Sequence, residues 1–450
     1  VTGLPRQLSW LRNATLPDGR TVDVRIDGPL VTEIQPAASS RLSGVHHSGP
    51  HKPSGQPAAG PTTPGPTGRR PTDDVDEFAT LDLTGFVLLT APAEPHAHLD
   101  KAFSWDLIQP PSGNLELAIA SWRAYAATMT SESVLVRARQ AALALLRNGV
   151  TAVRSHVDLL AGDQPLRGVE ALVRLREELI GLMDVELAVM VPHDAAEADA
   201  EAALDLGVDL VGGAPHLSAD PPTHLRRLLA LAERRDVGVD LHIDENLDRP
   251  LTLTDYARSV RHRPAGTSLS AGHCVRLGTL PTADLSDAVD ELLASDLGII
   301  SLPLTNLYLQ GWQHPVSTPR GLTAVRTLID RGARFAAGGD NVRDPFNPVG
   351  RSDPLETAAL LVAAGHLSAE EAYTAVSEGA RSVLRLPPAG AEAGARAEFL
   401  AVRAGSLADV VASASPDRFV VHNGFLVSQS EIHYQTAALA LTDRPGALHD

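Results

Sequence analysis

From residue 85 onward the chain alternates between short apolar runs and longer amphipathic stretches, and this alternation narrows the possible folds more than anything else in it. The runs are GFVLLTAPAE (85–94), TAVRSHVD (151–158), VELAVMVP (185–192), VDLVGGAP (208–215), VGVDLHID (237–244), TSLSAGHC (267–274), LGIISLPL (297–304) and RFAAGGDN (334–341). Between them lie segments such as SESVLVRARQAALALLRNG and LRRLLALAERRD, whose apolar residues recur at helical spacing. A strand that is apolar nearly throughout is buried on both faces, as in a parallel sheet. Strands of that kind separated by helices predict an α/β chain, and eight of them predict a (β/α)8 TIM barrel. An open doubly wound sheet is the alternative that the pattern alone leaves.

The flanks read differently. Residues 6–35 hold short β-type runs parted by turn residues such as Pro17-Asp18-Gly19. SLADVVASASPDRFVVHNGFLV (406–427) returns to such runs, with a turn at Asn423-Gly424. Together they predict a small β-sandwich domain built from both termini, formed by 1–84 and 391–450 around a barrel at 85–390. The stretch 36–74 is rich in Pro, Gly and Ser and too poor in large apolar residues to offset its ordering entropy, so it reads as a disordered insertion. Its His46, His47 and His51 read as solvated linker residues, and TDRPGALHD (442–450) as a tail.

Composition excludes several classes. A net charge of −17 argues against nucleic acid or an anionic membrane surface as partner. No apolar run reaches the roughly 20 residues of a membrane helix, and the first residues lack a basic-then-apolar leader pattern. The single cysteine, Cys274, rules out an internal disulfide framework. These features predict a soluble, cytoplasmic chain. There is no GxSxG elbow and no Walker-type phosphate loop.

In a barrel of this type chemistry sits at the C-terminal ends of the strands. Those ends carry His96 and His98 on the first, His156 and Asp158 on the second, His242, Asp244 and Glu245 on the fifth, His273 on the sixth and Asp340 on the eighth. One such histidine is ordinarily a satisfied structural residue, but the convergence of five strand ends points to a metal. His96 and His98, two apart, can both face inward. His242 supplies a third nitrogen and Asp340 a carboxylate, leaving a position for water. A divalent ion held this way is a Lewis acid that lowers the pKa of bound water from about 16 to about 7. Glu245 is spaced to shuttle a proton, and His273 to polarise the attacked group or assist deprotonation.

PHAHLD, HIDEN, SAGH and GGDN resemble the signature of the amidohydrolase superfamily, and more narrowly its cytosine deaminase branch, which includes N-isopropylammelide amidohydrolases. The resemblance runs from about 85 to 427, with weaker stretches at RSHVDL, VGGAPH, NLYLQGW and DNVRDPFNPVG. It implies a barrel with a flanking β domain, one Zn(II) or Fe(II) held by His96, His98, His242 and Asp340, and a small N-heterocyclic substrate. It also implies that Glu245 protonates the substrate ring while His273 and Asp340 orient and deprotonate the attacking water. Homo-oligomers are common to the family, though no interface is legible here. Two-metal relatives bridge their ions with a carboxylated lysine in mid-barrel. The only lysines here are Lys52 and Lys101, so a single ion is expected.

Departures from the pattern bear on substrate. The metal-binding aspartate is followed by Asn341 where cytosine deaminases carry a second aspartate. No pyrimidine-reading glutamine is evident, and MVPHDAAEA offers His193 or Asp194 in its place. Lys101, in a chain that otherwise uses arginine, is placed either to hold a ring oxo group or carboxylate or to pair with an acid such as Asp100. Phe346 stacks on the ring or packs in the core. Trp312 lines the entrance or packs locally. His156 and Asp158 read as supporting residues, His216 as reaching the pocket, and Cys274 as inert. Three readings result: deamination of a cyclic amidine with release of ammonia, release of an alkyl amine or opening of a cyclic amide, and binding of a heterocycle without turnover.

Overall fold

A computed structural model describes residues 3–37, 79–111, 113–433 and 435. From residue 38 on, the Pro/Gly/Ser-rich insertion lies outside them, as does the C-terminal tail. Eight parallel strands form one sheet in strict chain order: Ala93–Ala97, Ala152–Asp158, Asp184–Met190, Leu210–Gly213, Gly238–Ile243, Leu269–His273, Gly298–Ser301 and Phe335–Ala337. A parallel bridge between Ala97 and Asp340 joins the last strand to the first. The result is the expected barrel rather than an open sheet.

The helices form where the sequence caps them. Ser131–Arg147 opens on a capping box of Thr130 and Ser133. It buries Val134, Leu135, Ala138, Ala141, Ala142, Leu145 and Leu146, one stripe at helical spacing. Pro221–Arg235 starts on Asp220, which accepts from Thr223 N, with Pro221 in the first turn where no N–H is needed. No helix among the described residues is long and apolar enough to cross a membrane.

Both termini build the second sheet. Its nine strands run in the order Arg6–Gln7, Phe425–Ser430, Arg418–His422, Phe399–Arg403, Phe86–Thr90, Trp10–Thr15, Thr21–Asp27 and Leu30–Pro36, with Thr80–Asp82 on Trp10–Thr15. Leu11, Val24, Leu83, Leu88 and Phe399 are fully or almost fully buried in its core. Arg418 ties this sheet to the barrel helices, with both guanidinium arms on Asp353 at 3.0 and 2.8 Å. Asp353 also caps helix Pro354–Gly365 through Leu355 N.

The run 85–94 is not one barrel strand. Phe86–Thr90 belongs to the terminal sheet, and the first barrel strand is the following Ala93–Ala97, AEPHA. Pro92, which lacks an N–H, parts the two, and its carbonyl accepts from Thr151 N. A strand bearing Glu94, Pro95 and His96 has no apolar run to announce it. Its pairing with the second strand is irregular between Glu94 and Ala97.

The lower barrel interior is polar. Arg154, fully buried on the second strand, reaches Glu186 at 2.7 Å, Asp240 at 3.0 Å and Ser270 at 2.7 Å. Removing one member would strand a buried charge. Above this network lie the histidines.

Candidate metal centre and active site

Four side chains from three strand ends meet at one point. His242 Nε2 is 3.2 Å from His96 Nε2 and 3.0 Å from His98 Nε2. Asp340 Oδ1 is 3.8 Å from His96 Nε2 and 3.5 Å from His98 Nε2. Ligands about 2.1 Å from a tetrahedral ion are separated by roughly 3.4 Å, so these spacings suit one small divalent cation. Among the described residues neither oxygen of the buried Asp340 carboxylate has a well-formed hydrogen bond, Thr305 being the one hydroxyl close enough to ease its charge. Burial, then the nearby acids Glu245 and Asp344, raise its pKa well above the ordinary carboxylate value. Burial first, then neighbouring imidazoles together with Arg154 for His96 and Lys101 for His98 and His242, lower the pKa of the three histidines and keep them neutral. Neutral imidazoles around an uncompensated buried carboxylate fit a dication.

The backbone aims these groups. His273 and Asp340 take positive φ, 69° and 61°, where their strands end, a left-handed turn uncommon outside glycine. At Gly272 a Cβ would stand 2.8 Å from the His96 ring, so only glycine admits it. Glu94, buried, accepts from His96 N at 3.2 Å and Gly339 N at 2.9 Å. It thereby straps the first strand to the eighth, beside the single bridge that closes the barrel.

Glu245 and His273 stand next to this point. His273 Nδ1 is 3.4 Å from Glu245 Oε1, and its Nε2 is 4.0 Å from Asp340 Oδ2. Burial pushes the Glu245 carboxyl up to about 8. Burial, with His216 and His156 beyond it, brings His273 down to about 3. One group is therefore a neutral acid at pH 7 and the other a neutral base. Asn306 Nδ2 reaches both, Glu245 Oε1 at 3.3 Å and His273 Nδ1 at 3.0 Å. Reading of the sequence missed Asn306. Its only signal was its place at the head of NLYLQGW.

The centre is the floor of a cavity of about 510 Å³. Lys101, His193, Asp194, Asn341 and Phe346 all line it; Trp312 does not. Trp312 is half exposed and bonds the carbonyl of Tyr308, so it packs locally and does not line the entrance. Asn341 is committed to Asp344 through a 2.8 Å bond. Lys101 Nζ lies 2.8 Å from Asp158, 3.6 Å from Asp100 and 3.2 Å from His98 Nδ1. Burial opposes its charge, but Asp100 and Asp158 outweigh burial and hold its pKa above the ordinary lysine value. Asp158 also receives the indole N–H of Trp122 at 2.7 Å.

Other strand-end residues are supports. The His156 ring lies 4.2 Å from that of His96, and its Nε2 is 3.4 Å from Asp240. His156, His96 and His242 also offer ligand atoms within one metal-sized cluster, as do His96, His273 and Asp340. His216 is buried below the wall, facing the His242 carbonyl at 3.1 Å, and does not line the cavity. Asp244 is occupied by Thr252 N and Leu253 N. Cys274 is buried with its sulfur on backbone carbonyls, and burial raises its thiol pKa.

Comparison with known proteins gives a consistent picture. The model of the amidohydrolase family matches residues 113–422. The chain is 28% identical to a pterin deaminase of Rhizobium rhizogenes over 371 residues, covering 80% of this chain and 84% of that one. It is 23% identical to the N-isopropylammelide isopropyl amidohydrolase of Pseudomonas sp. over 383 residues, covering 80% and 89%. Among solved structures, 5-methylcytosine deaminase of Klebsiella pneumoniae with 5-fluorocytosine superimposes with a TM-score of 0.80 at 23% identity, covering 95% of this chain and 99% of that one.

Proposed function

The chain belongs to the amidohydrolase family, and from that premise we propose that it is a metal-dependent deaminase of an amino-substituted N-heterocycle. The observation that carries this reading is the convergence of His96, His98, His242 and Asp340 on one point of the cavity floor, with Glu245 and His273 beside it. The reaction adds water across a ring C=N bond at the carbon bearing the amino group, then expels ammonia and leaves an oxo group. When bound, a divalent ion at the four ligands makes water nucleophilic at neutral pH. His273 and Asp340 are placed to orient that water and take its proton. Glu245, protonated in its buried setting, donates to the ring nitrogen as the carbon becomes tetrahedral; the proton taken up by His273 and Asp340 passes to the departing amine, and Glu245 regains its proton from the new hydroxyl as ammonia leaves and the C=O bond forms. Asn306 holds Glu245 and His273 in register for this transfer.

We further propose a fused two-ring substrate of the pterin class. A cavity of about 510 Å³ is larger than a single six-membered ring fills, and the relative matched at 28% identity is a pterin deaminase. Release of an alkyl amine is the second reading, favoured by Lys101 and Asn341 on the cavity wall and by the likeness to the N-isopropylammelide enzyme. The test is ammonia release by metal-replete protein across pterins, aminopyrimidines, aminotriazines and their N-alkylated analogues. Ammonia from pterins bears out the proposal. Alkyl amine without ammonia supports the second reading, and product from no ring class overturns both.

A further inference from the structure

The carboxylate of Asp158 is not used by the chemistry above, yet it is held at the cavity wall with care. Trp122 Nε1 donates to Oδ2 at 2.7 Å, Lys101 Nζ to Oδ1 at 2.8 Å, and the Asp158 N–H is tied to Asp100 at 3.1 Å. Both donor side chains are almost fully buried. The Asp158 side chain itself is 21% exposed, and it lines the same cavity as Glu245 and Asp340. A carboxylate offers about four acceptor positions. Two are occupied by buried donors, so the remaining capacity belongs to whatever fills the cavity.

Neutralising Lys101 does not account for this arrangement. Lys101 already has Asp100 at 3.6 Å, which is 2% exposed and does not line the cavity. Two carboxylates thus face one ammonium, and among the described residues neither has another cation within ion-pair distance. The wall carries an excess acceptor, fixed in orientation and open only on the substrate side. Such a group selects N–H donors.

Resting on the deaminase reading of the site, we propose that Asp158 is a specificity-determining residue that accepts N–H bonds from the heterocycle. The ligand class is a ring with an amidine- or guanidine-type edge, a ring N–H beside an exocyclic amine. A ligand lacking the donor shields the remaining acceptor positions of this carboxylate from water without filling them, which is costly.

The test compares the parent amino-heterocycle with analogues methylated in turn at each ring nitrogen and at any amine that is not expelled. The wild-type protein is expected to prefer the parent over one such analogue by about tenfold or more in kcat/KM. In Asp158→Asn that preference is expected to collapse toward one, with metal content unchanged. Asp158→Ser provides the same ratio if the asparagine variant does not fold. A variant that slows parent and analogue by the same factor overturns the proposal, because a merely structural ion pair would act that way. If wild-type protein deaminates no ring at all, the functional reading fails and this inference falls with it. If it deaminates rings and the ratio is unmoved, only this inference fails.

Discussion

Glu245 is the residue on which the proposed chemistry turns. It contacts Asn306 and His273, and none of the ligand distances involves it. Glu245→Gln is therefore expected to retain its metal and to lose turnover by about 10²–10⁴-fold, the usual contribution of a general acid. Metal analysis beside initial rates checks it, and an active variant would remove Glu245 from the mechanism. The sequence made this residue legible because its spacing from His242 and its position after a strand are both chemical signals. Asn306 and Glu94 were not legible. An asparagine in the middle of the short helix Pro303–Leu309 and a glutamate inside a short strand look like ordinary polar residues until the fold brings them onto Glu245 and His96. Trp312 shows the opposite error: an aromatic in a loop suggests a pocket, but this one bonds its own turn.

Among the elements, the first barrel strand is the least conventional and the most consequential. Ala93–Ala97 carries His96 and precedes His98, both proposed ligands, and among the described residues it meets the end of the eighth strand through one bridge. Glu94 supplies the seam with two further bonds, to His96 N and Gly339 N. At Gly338 a Cβ would lie 2.2 Å from Glu94 Oε1, so the eighth strand is shaped around this carboxylate. Glu94→Ala should release both ligand-bearing strands and weaken metal binding by about 10–100-fold, the range for residues that support ligands. Competition with a chelator measures it; unchanged affinity would show that the seam holds without the carboxylate. The remaining strands were legible because they are apolar. This one was hidden because its polar residues had to be there for the site, and the run before it belongs to the other sheet.

At the scale of the molecule, the chain returns to its beginning. Phe86–Thr90 pairs with Phe399–Arg403 across the whole barrel sequence. That both termini build one sheet was legible from their β-type runs and turns. Its strand order was not, because pairing across such separation has no local signature. The pair of buried Arg418 with partly buried Asp353 couples this sheet to helix Pro354–Gly365. Asp353→Ala removes both the carboxylate partner of Arg418, leaving it only backbone carbonyls, and the helix cap, and should cost about 3–5 kcal/mol in urea unfolding. A loss below about 1 kcal/mol would mean that the pair behaves like a surface bridge.

A bound ion would link every scale, because its proposed ligands come from three strand ends and the proposed chemistry requires the neighbours they position. The most direct measurement is ammonia release from the responding heterocycle while Zn(II) or Fe(II) is titrated into metal-free protein. The expected result is no activity without metal, a linear rise, and a plateau at one ion per chain. Ammonia release by the metal-free protein, or a plateau at two ions per chain, would contradict it.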